Sequence, residues 1–187
     1  DPSSSLNPVH RIGRQLKEAL GLHRNLSGSA AEIEAVRLLD RVGIPAAGQR
    51  MNDYPHQMSG GMNQRVMIAM ALAGEPDLLV ADEPTTALDA TIQAQILDLL
   101  REIRAETGMA MVLISHDLGV VSENTDRVAV MYAGRIVEQA DNETLFEAPL
   151  HPYTQGLLAA LPDLEGPRRP LVSIPGSVPE PWNHPAG

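Results

Sequence analysis

An apolar run that ends in two carboxylates constrains the fold of this chain more than any other feature. Four consecutive apolar residues, 78–81, are followed by Asp82 and Glu83. A run without polar alternation is typical of a strand buried on both faces. A helical pattern follows over residues 89–108, and residues 109–115 form a second apolar run. This strand–helix–strand order predicts a right-handed crossover on a parallel sheet.

The chain before this core has helical periodicity. Apolar residues recur at Ile12, Leu16 and Leu20, the spacing of one helix face. Ser29 followed by Glu32 matches a capping box and predicts the start of a second helix. Residues 45–55 are rich in Gly, Pro, Asn and Asp and predict a loop, after which a third helix begins.

The 187 residues divide into three predicted regions. Residues 1–74 form a helical subdomain, residues 75–140 a partial α/β core, and residues 141–187 a helical and Pro-rich extension. Within the core, residues 127–132 and 135–140 have the pattern of a hairpin that turns at Ala133 and Gly134.

Composition excludes several classes of function. The formal net charge of −10 argues against a nucleic-acid partner, which requires a basic face. The absence of cysteine excludes disulfides, thiolate zinc sites and cysteine nucleophiles. Because no run of about 18 apolar residues occurs, we expect no membrane-spanning helix in this sequence.

Three polar side chains follow the two predicted strands. Asp82 and Glu83 end the first strand and His116 follows the second, so all three belong at the carboxyl edge of the sheet, where open parallel sheets bind ligands. Asp82 is suited to hold Mg²⁺ beside phosphate oxygens, and Glu83 to polarise an attacking water. The alternatives are an ordinary solvated strand end and a histidine that only forms structural hydrogen bonds.

A small polar loop precedes the third predicted helix. Its residues are Ser59, Gly60, Gly61 and Met62. Glycines let a backbone approach a ligand closely, and the N–H groups at a helix N-terminus favour anions. The alternative is a plain N-cap with two turn glycines.

Taken in order, these motifs resemble the nucleotide-binding subunit of ATP-binding cassette (ABC) transporters. Residues 59–61 match the signature loop, and Asp82-Glu83 the Walker B pair. Residues 87–89, Ala-Leu-Asp, match the D-loop, and His116 matches the switch histidine. Residues 5–8, Met62 and residues 151–154 are similar to the di- and oligopeptide, or nickel, importer branch.

The resemblance implies an α/β fold of the P-loop NTPase type, which uses ATP and Mg²⁺. It implies catalytic roles for Glu83 and His116, Mg²⁺ binding by Asp82, and cofactor binding by Ser59, Gly60, Gly61, Met62 and Asp89. The implied partners are a second ATP-binding subunit, identical or different, and transmembrane permease subunits. The implied location is peripheral, at the cytoplasmic face of the cell membrane.

The phosphate-binding loop of this family, G-x-x-x-x-G-K-[ST], does not occur in the sequence. The nearest match, residues 43–50, lacks the Lys and the Ser or Thr. The chain therefore resembles a C-terminal fragment of the domain, and we expect it to be inactive alone. We also expect a slot one strand wide between the strand before His116 and the strand near Arg127.

Two alternatives stay open at this point. One is an ABC-type ATPase that acts outside transport, although such proteins carry a coiled-coil insertion or a second cassette and neither pattern occurs here. The other is a non-catalytic interaction fragment in which the motifs are relics.

Overall fold

The computed structural model describes residues 5–86 and 88–160 of the chain. It separates into two compact units, Asp1–His116 and Asp117–Gly187. The Pro-rich extension expected from Pro162 onward, and Ala87 of the D-loop match, lie outside the described residues. The three-region division at residues 74 and 140 stays a prediction.

The elements follow one another in the order expected for an α/β chain. In the first unit they are α1 (Ile12–Arg24), α2 (Gly28–Arg41), α3 (Ala47–Arg50), a 3₁₀ turn (Pro55–Gln57), α4 (Gly60–Leu72), β1 (Leu78–Asp82), α5 (Ala90–Thr107) and β2 (Ala110–Ile114). In the second unit they are α6 (Leu118–Asn124), β3 (Arg127–Tyr132), β4 (Arg135–Asp141), α7 (Asn142–Glu147) and α8 (Pro152–Ala159). None of the helices in the described ranges has the length and apolar content needed to cross a membrane.

One hydrophobic core joins the helices of the first unit. Ile12, Leu16 and Leu20 of α1 are fully buried, as their four-residue spacing predicts. Side chains of α2, α4 and α5 complete the same core, for example Leu39, Val66 and Leu100 on these three helices in turn.

Strands β1 and β2 pair in parallel, in register from Leu78 with Ala110 to Asp82 with Ile114. The parallel strand–helix–strand prediction is therefore confirmed. One face of the pair, with Leu79 and Met111, packs against the helical core.

The prediction that both faces of these strands are buried is wrong. The second face carries apolar side chains that are 46–58% exposed: Leu78, Val80, Val112 and Ile114. Successive side chains of a strand point to opposite faces, and the core of the first unit covers only one of them.

Helix boundaries differ from the sequence prediction at α2. The helix begins at Gly28 with Ser27 as its N-cap, and no side chain caps it. The predicted capping box at Ser29 and Glu32 is therefore wrong, and Glu32 instead forms an ion pair with Lys17 of α1. Its carboxylate thus contacts a neighbouring helix and not the N-terminus of its own helix.

Helix α5 has the boundaries that the sequence predicts. The Asp89 carboxylate accepts hydrogen bonds from the N–H groups of Thr91 and Ile92 at the N-terminus. Gly108 ends the helix in the left-handed region, at φ 70°, where a residue without Cβ is favoured.

The second unit is built on the predicted hairpin. Strands β3 and β4 are antiparallel, and the residues at the turn, Ala133 and Gly134, both have positive φ (49° and 77°). A two-residue turn with both φ values positive matches the twist of paired strands. Within the described ranges the strands thus form two separate two-stranded sheets, one in each unit. The expected slot between β2 and β3 stays a prediction.

Candidate functional site

Glu83 stands directly after β1 in an unusual backbone conformation. Its N–H donates to the Ile114 carbonyl oxygen at 2.9 Å, which extends the β1–β2 pairing by one residue. Its φ is 45°, in the left-handed region that costs energy for a residue with a Cβ. Strain of this kind concentrates at functional sites, so the backbone of Glu83 supports its place in the candidate site.

The His116 ring contacts the Glu83 carboxylate. Its Nδ1 lies 2.9 Å from Glu83 Oε1. Since an ionised carboxylate can only accept, Nδ1 is the donor in this contact. Both side chains are exposed, the ring by 76% and the carboxylate side chain by 42%. The end of β1 and the end of β2 thus bring together two groups that are 33 residues apart in sequence.

Electrostatics keep Glu83 ionised. The hydrogen bond from His116, and then one from the Thr86 hydroxyl, hold the pKa of the Glu83 carboxyl below its ordinary value. Both contacts stabilise the charged form. An ionised carboxylate at the sheet edge is the form that can accept a proton from water.

Thr86 is the residue that the sequence interpretation missed. Its Oγ1 donates to Glu83 Oε2 at 2.8 Å. Its N–H also donates to the Glu83 carbonyl oxygen at 3.2 Å, which closes a turn over residues 83–86. The available signal was a hydroxyl placed three residues after a carboxylate, within reach across a tight turn.

Asp82 is the last residue of β1 and is exposed. Within the described ranges no three His, Cys, Asp or Glu side chains gather into a group that could hold a metal ion. A lone carboxylate nevertheless fits Mg²⁺, which takes one or two carboxylates and completes its shell with phosphate oxygens and water. The residues present therefore fit a Mg²⁺ ion that is shared with a nucleotide, with Asp82 as the protein ligand.

The loop from Ser59 to Met62 forms the N-terminus of α4. Ser59 is the N-cap, and its Oγ accepts a hydrogen bond from the Met62 N–H at 3.3 Å. The Ser59 hydroxyl proton is not used in this bond, so it can be donated to an anion. Ser59 can therefore cap α4 with its oxygen and still bind an anion with its hydroxyl proton.

The two glycines of this loop differ in their surroundings. A Cβ on Gly61 would lie 2.8 Å from Ile92 Cγ2 of α5, whereas a Cβ on Gly60 would meet only Leu88 at 3.9 Å. Gly61 therefore has a packing reason to be glycine, because it lets the start of α4 approach the start of α5.

The structure thus gathers the predicted site residues into two groups. Asp82, Glu83 and His116 share the carboxyl edge of the β1–β2 sheet, with Glu83 and His116 in contact. The loop at residues 59–62 lies against the segment that begins at Leu88 and includes Asp89, the N-cap of α5. The chemical roles of all these residues stay predictions.

Two family models match the chain. Residues 3–86 match the ABC transporter family. Residues 137–187 match the family described as the oligopeptide/dipeptide transporter C-terminal region.

Curated relatives match along the whole chain. A putative peptide import ATP-binding protein of Brucella abortus is 58% identical over all 187 residues, which cover 56% of that protein. The dipeptide transport ATP-binding protein DppD of Escherichia coli is 52% identical, with 57% of its length covered. The oligopeptide transport ATP-binding protein OppD of Bacillus subtilis is 53% identical, with 52% covered. The chain therefore spans about half the length of the curated relatives it matches.

Solved structures show the same architecture. The dimeric bacterial ABC transporter cassette MJ0796 aligns with a TM-score of 0.64 at 28% identity, over 74% of this chain and 59% of that one. CbiO1 of Clostridium perfringens, part of the ABC transporter complex cbiONQ, aligns with a TM-score of 0.68 at 28% identity, over 79% of this chain and 57% of that one. The expected fold, part of an ABC-type cassette, is thus confirmed.

Proposed function

Because this chain belongs to the ABC transporter family of ATP-binding proteins, we propose that it is the signature and Walker B part of an ATPase subunit that powers peptide import. The observation that carries the proposal is the Glu83 carboxylate at the sheet edge, with its Oε1 2.9 Å from His116 Nδ1. Its two partners stabilise the charge that a general base needs.

Asp82, Glu83 and His116 have separate roles in the proposed hydrolysis of ATP. Bound ATP with Mg²⁺ supplies the transferable terminal phosphate. Asp82 would hold the Mg²⁺ ion, and Glu83 would accept a proton from the water that attacks the phosphate. His116 orients Glu83 through Nδ1. In the doubly protonated ring its other nitrogen is also a donor and can bond a phosphate oxygen. All three side chains come from the ends of adjacent strands, which fixes their spacing.

The residues at the start of α4 and α5 serve a nucleotide held by a second ATP-binding subunit. Ser59 donates its hydroxyl to a phosphate oxygen, and the N–H groups of Gly60 and Gly61 at the start of α4 favour the same anion. Met62 supports this loop through its own N–H, which donates to Ser59 Oγ. Asp89, at the start of α5, couples the two sites. A dimeric state is supported by the dimeric cassette that this chain resembles.

Transport, rather than another use of ATP, is favoured by the C-terminal part of the chain. Residues 137–187 match the oligopeptide/dipeptide transporter C-terminal region. We therefore infer permease subunits as membrane-embedded partners and a peripheral location at the cytoplasmic face. The acidic net charge of −10 disfavours a nucleic-acid partner, as an ATPase of DNA repair or translation would need.

The 187 residues alone do not provide a complete ATP site. They contain no G-x-x-x-x-G-K-[ST] sequence, whose backbone N–H groups and Lys hold the phosphates of ATP. We therefore propose that hydrolysis requires a phosphate loop in addition to this chain, and that the chain by itself is inactive.

Replacement of Glu83 by Gln in the intact subunit tests the proposal. The amide keeps the size of the side chain but cannot accept the proton, so ATP turnover falls by at least about 100-fold while ATP binding is retained. Phosphate release and nucleotide binding measure the two effects. The matched control is Glu102→Gln at an exposed position of α5, which leaves turnover unchanged. Turnover by Glu83→Gln at the rate of the unaltered subunit would refute the role of Glu83.

A further inference from the structure

The Glu83 carboxylate is held at both of its oxygens by groups from different parts of the chain. Oε1 accepts from His116 Nδ1 at 2.9 Å, and Oε2 accepts from Thr86 Oγ1 at 2.8 Å. A glutamate side chain has three rotatable bonds, and one contact would leave the carboxylate free to turn about the last of them. Two contacts on opposite oxygens fix both its position and the direction of its plane.

The turn that carries Thr86 is itself anchored. Pro84 and Thr85, between the two partners, are buried, whereas Glu83 and Thr86 are exposed. The Thr86 N–H closes the turn on the Glu83 carbonyl oxygen, and the Glu83 N–H is bound to Ile114. The hydroxyl therefore comes from a fixed backbone and is not a mobile surface group.

We infer that Thr86 is a positioning residue for Glu83: its hydroxyl fixes the carboxylate in the orientation that faces His116 and an attacking water. The inference rests on the proposed function and adds to it a residue outside the Walker B pair and the switch histidine. Thr86 acts through Glu83 and is not assigned a contact with nucleotide or metal.

Loss of the Thr86 hydroxyl has a specific consequence. Oε2 loses its donor, and the carboxylate retains only its contact with His116. Misplacement of a catalytic group by about 1 Å can reduce the rate by about 100-fold, so a loosened carboxylate slows the chemical step. Neither Thr86 nor its contact with Glu83 is assigned a role in ATP binding, so we expect the loss in kcat and not in KM.

The test compares Thr86→Val with Thr86→Ser in the intact subunit. Valine keeps the branched shape and removes the hydroxyl, whereas serine keeps the hydroxyl and removes the methyl group. We expect Thr86→Val to lower kcat by about tenfold or more with an unchanged KM for ATP. We expect Thr86→Ser to retain at least about half of the kcat. The melting temperature of both variants reports whether the turn remains folded.

Several outcomes of this comparison would overturn the positioning role of Thr86. Equal kcat values for the unaltered protein and Thr86→Val overturn the inference, as does an equal loss in the Val and Ser variants, since a steric effect would then explain it. A loss that appears in KM instead of kcat also overturns it. Failure of the unaltered subunit to hydrolyse ATP, or full activity of Glu83→Gln, refutes the proposed function and the inference with it.

Discussion

At the end of β1, Glu83 combines a left-handed backbone with a carboxylate that is bound at both oxygens. The backbone strain is sustained because its N–H is paired to Ile114 and the next three residues form a closed turn. The adjacent pair Asp82-Glu83 indicated this site from the sequence when it was taken together with the other ordered motifs. The contact between Thr86 and Glu83 could not be predicted from the sequence. A hydroxyl a few residues from a carboxylate is common, and only the geometry of the turn brings these two groups together.

At the residue scale, Gly61 gives a clear prediction. A Cβ there would lie 2.8 Å from the branched Cγ2 of Ile92, a side chain that cannot easily move away. Gly61→Ala should lower the free energy of unfolding by about 1–3 kcal/mol. Gly60→Ala is the matched control, because its Cβ would have no contact nearer than 3.9 Å. Urea unfolding measures both, and an equal effect of the two substitutions would contradict the packing role of Gly61.

At the scale of elements, the N-termini of α1 and α2 could not be predicted from the local sequence. The N-terminus of α1 has no side-chain cap; instead the N–H groups of Ile12 and Gly13 donate to the carbonyl oxygens of Asp53 and Met51, both at 2.9 Å. The segment that was predicted as an irregular loop over residues 45–55 thus supplies the cap of a helix 40 residues earlier, and it contains the short helix α3. Sequence neighbours cannot reveal a cap that comes from a distant backbone.

This close approach makes Gly13 necessary to the fold. A Cβ on Gly13 would lie 2.8 Å from the Met51 carbonyl oxygen, which is backbone and cannot rotate away. Gly13→Ala should destabilise the protein by about 1–3 kcal/mol. Gly48→Ala in α3, where a Cβ would meet nothing within 4 Å, should be neutral or stabilise by up to about 1 kcal/mol. Thermal unfolding of the two variants separates the local clash at Gly13 from the general effect of a Gly→Ala substitution. Comparable melting temperatures for the two variants would contradict the steric role of Gly13.

An ion cluster joins α1 and α2. The Glu34 carboxylate accepts hydrogen bonds from Arg37 at 2.8 and 2.9 Å and from Arg24 at 2.8 Å. The Arg37 hydrogen bond, assisted by Arg24 and opposed by burial, lowers the pKa of Glu34 from 4.5 to about 2. The folded state therefore keeps this carboxylate ionised in acid that would protonate it in the unfolded chain.

This shift predicts an acid-sensitive contribution to stability. The contribution is complete above a pH of about 4.5 and is lost as the pH falls towards about 2, because the unfolded chain binds the proton first. Glu34→Gln should lower stability at neutral pH, and its difference from the unaltered protein should shrink across that range. Unfolding by urea at several pH values measures the difference, with Glu18→Gln at an exposed position of α1 as control. A difference that does not vary with pH would exclude Glu34 as its source.

At the scale of the whole molecule, the proposed function assigns the motifs in this chain to part of a nucleotide site. Sequences that match the Walker B pair, the switch histidine and the signature loop are present, whereas the phosphate-loop sequence is not. We predict that the purified 187 residues release no phosphate from ATP above the level of a heat-denatured sample, under conditions in which the intact subunit is active. Appreciable hydrolysis by the chain alone would show that another group takes the place of the phosphate loop.

Much of the fold and of the candidate site was predictable from the sequence because it depends on local pattern. The apolar runs predicted β1 and β2, the residues Asp89 and Gly108 predicted both ends of α5, and Ala133-Gly134 predicted the hairpin turn. In each case the deciding interaction lies within a few residues or follows from the order of elements along the chain. Burial was less predictable than strand position. An apolar run shows that both faces of a strand can be buried, but it does not show whether other elements cover both faces.

The sequence by itself determined which side chains stand at the carboxyl edge of the sheet, because strand ends and chain order place them there. Only the tertiary structure decided which contacts these side chains form: His116 Nδ1 bonds Glu83 Oε1, and Thr86 Oγ1 bonds the other carboxylate oxygen. It also decided that Ile92 packs closely against Gly61. Hydrogen bonds and steric contacts act over a few ångströms and depend on backbone angles such as the φ of 45° at Glu83. Residue type and spacing set what is possible at these positions, and packing sets which contact forms.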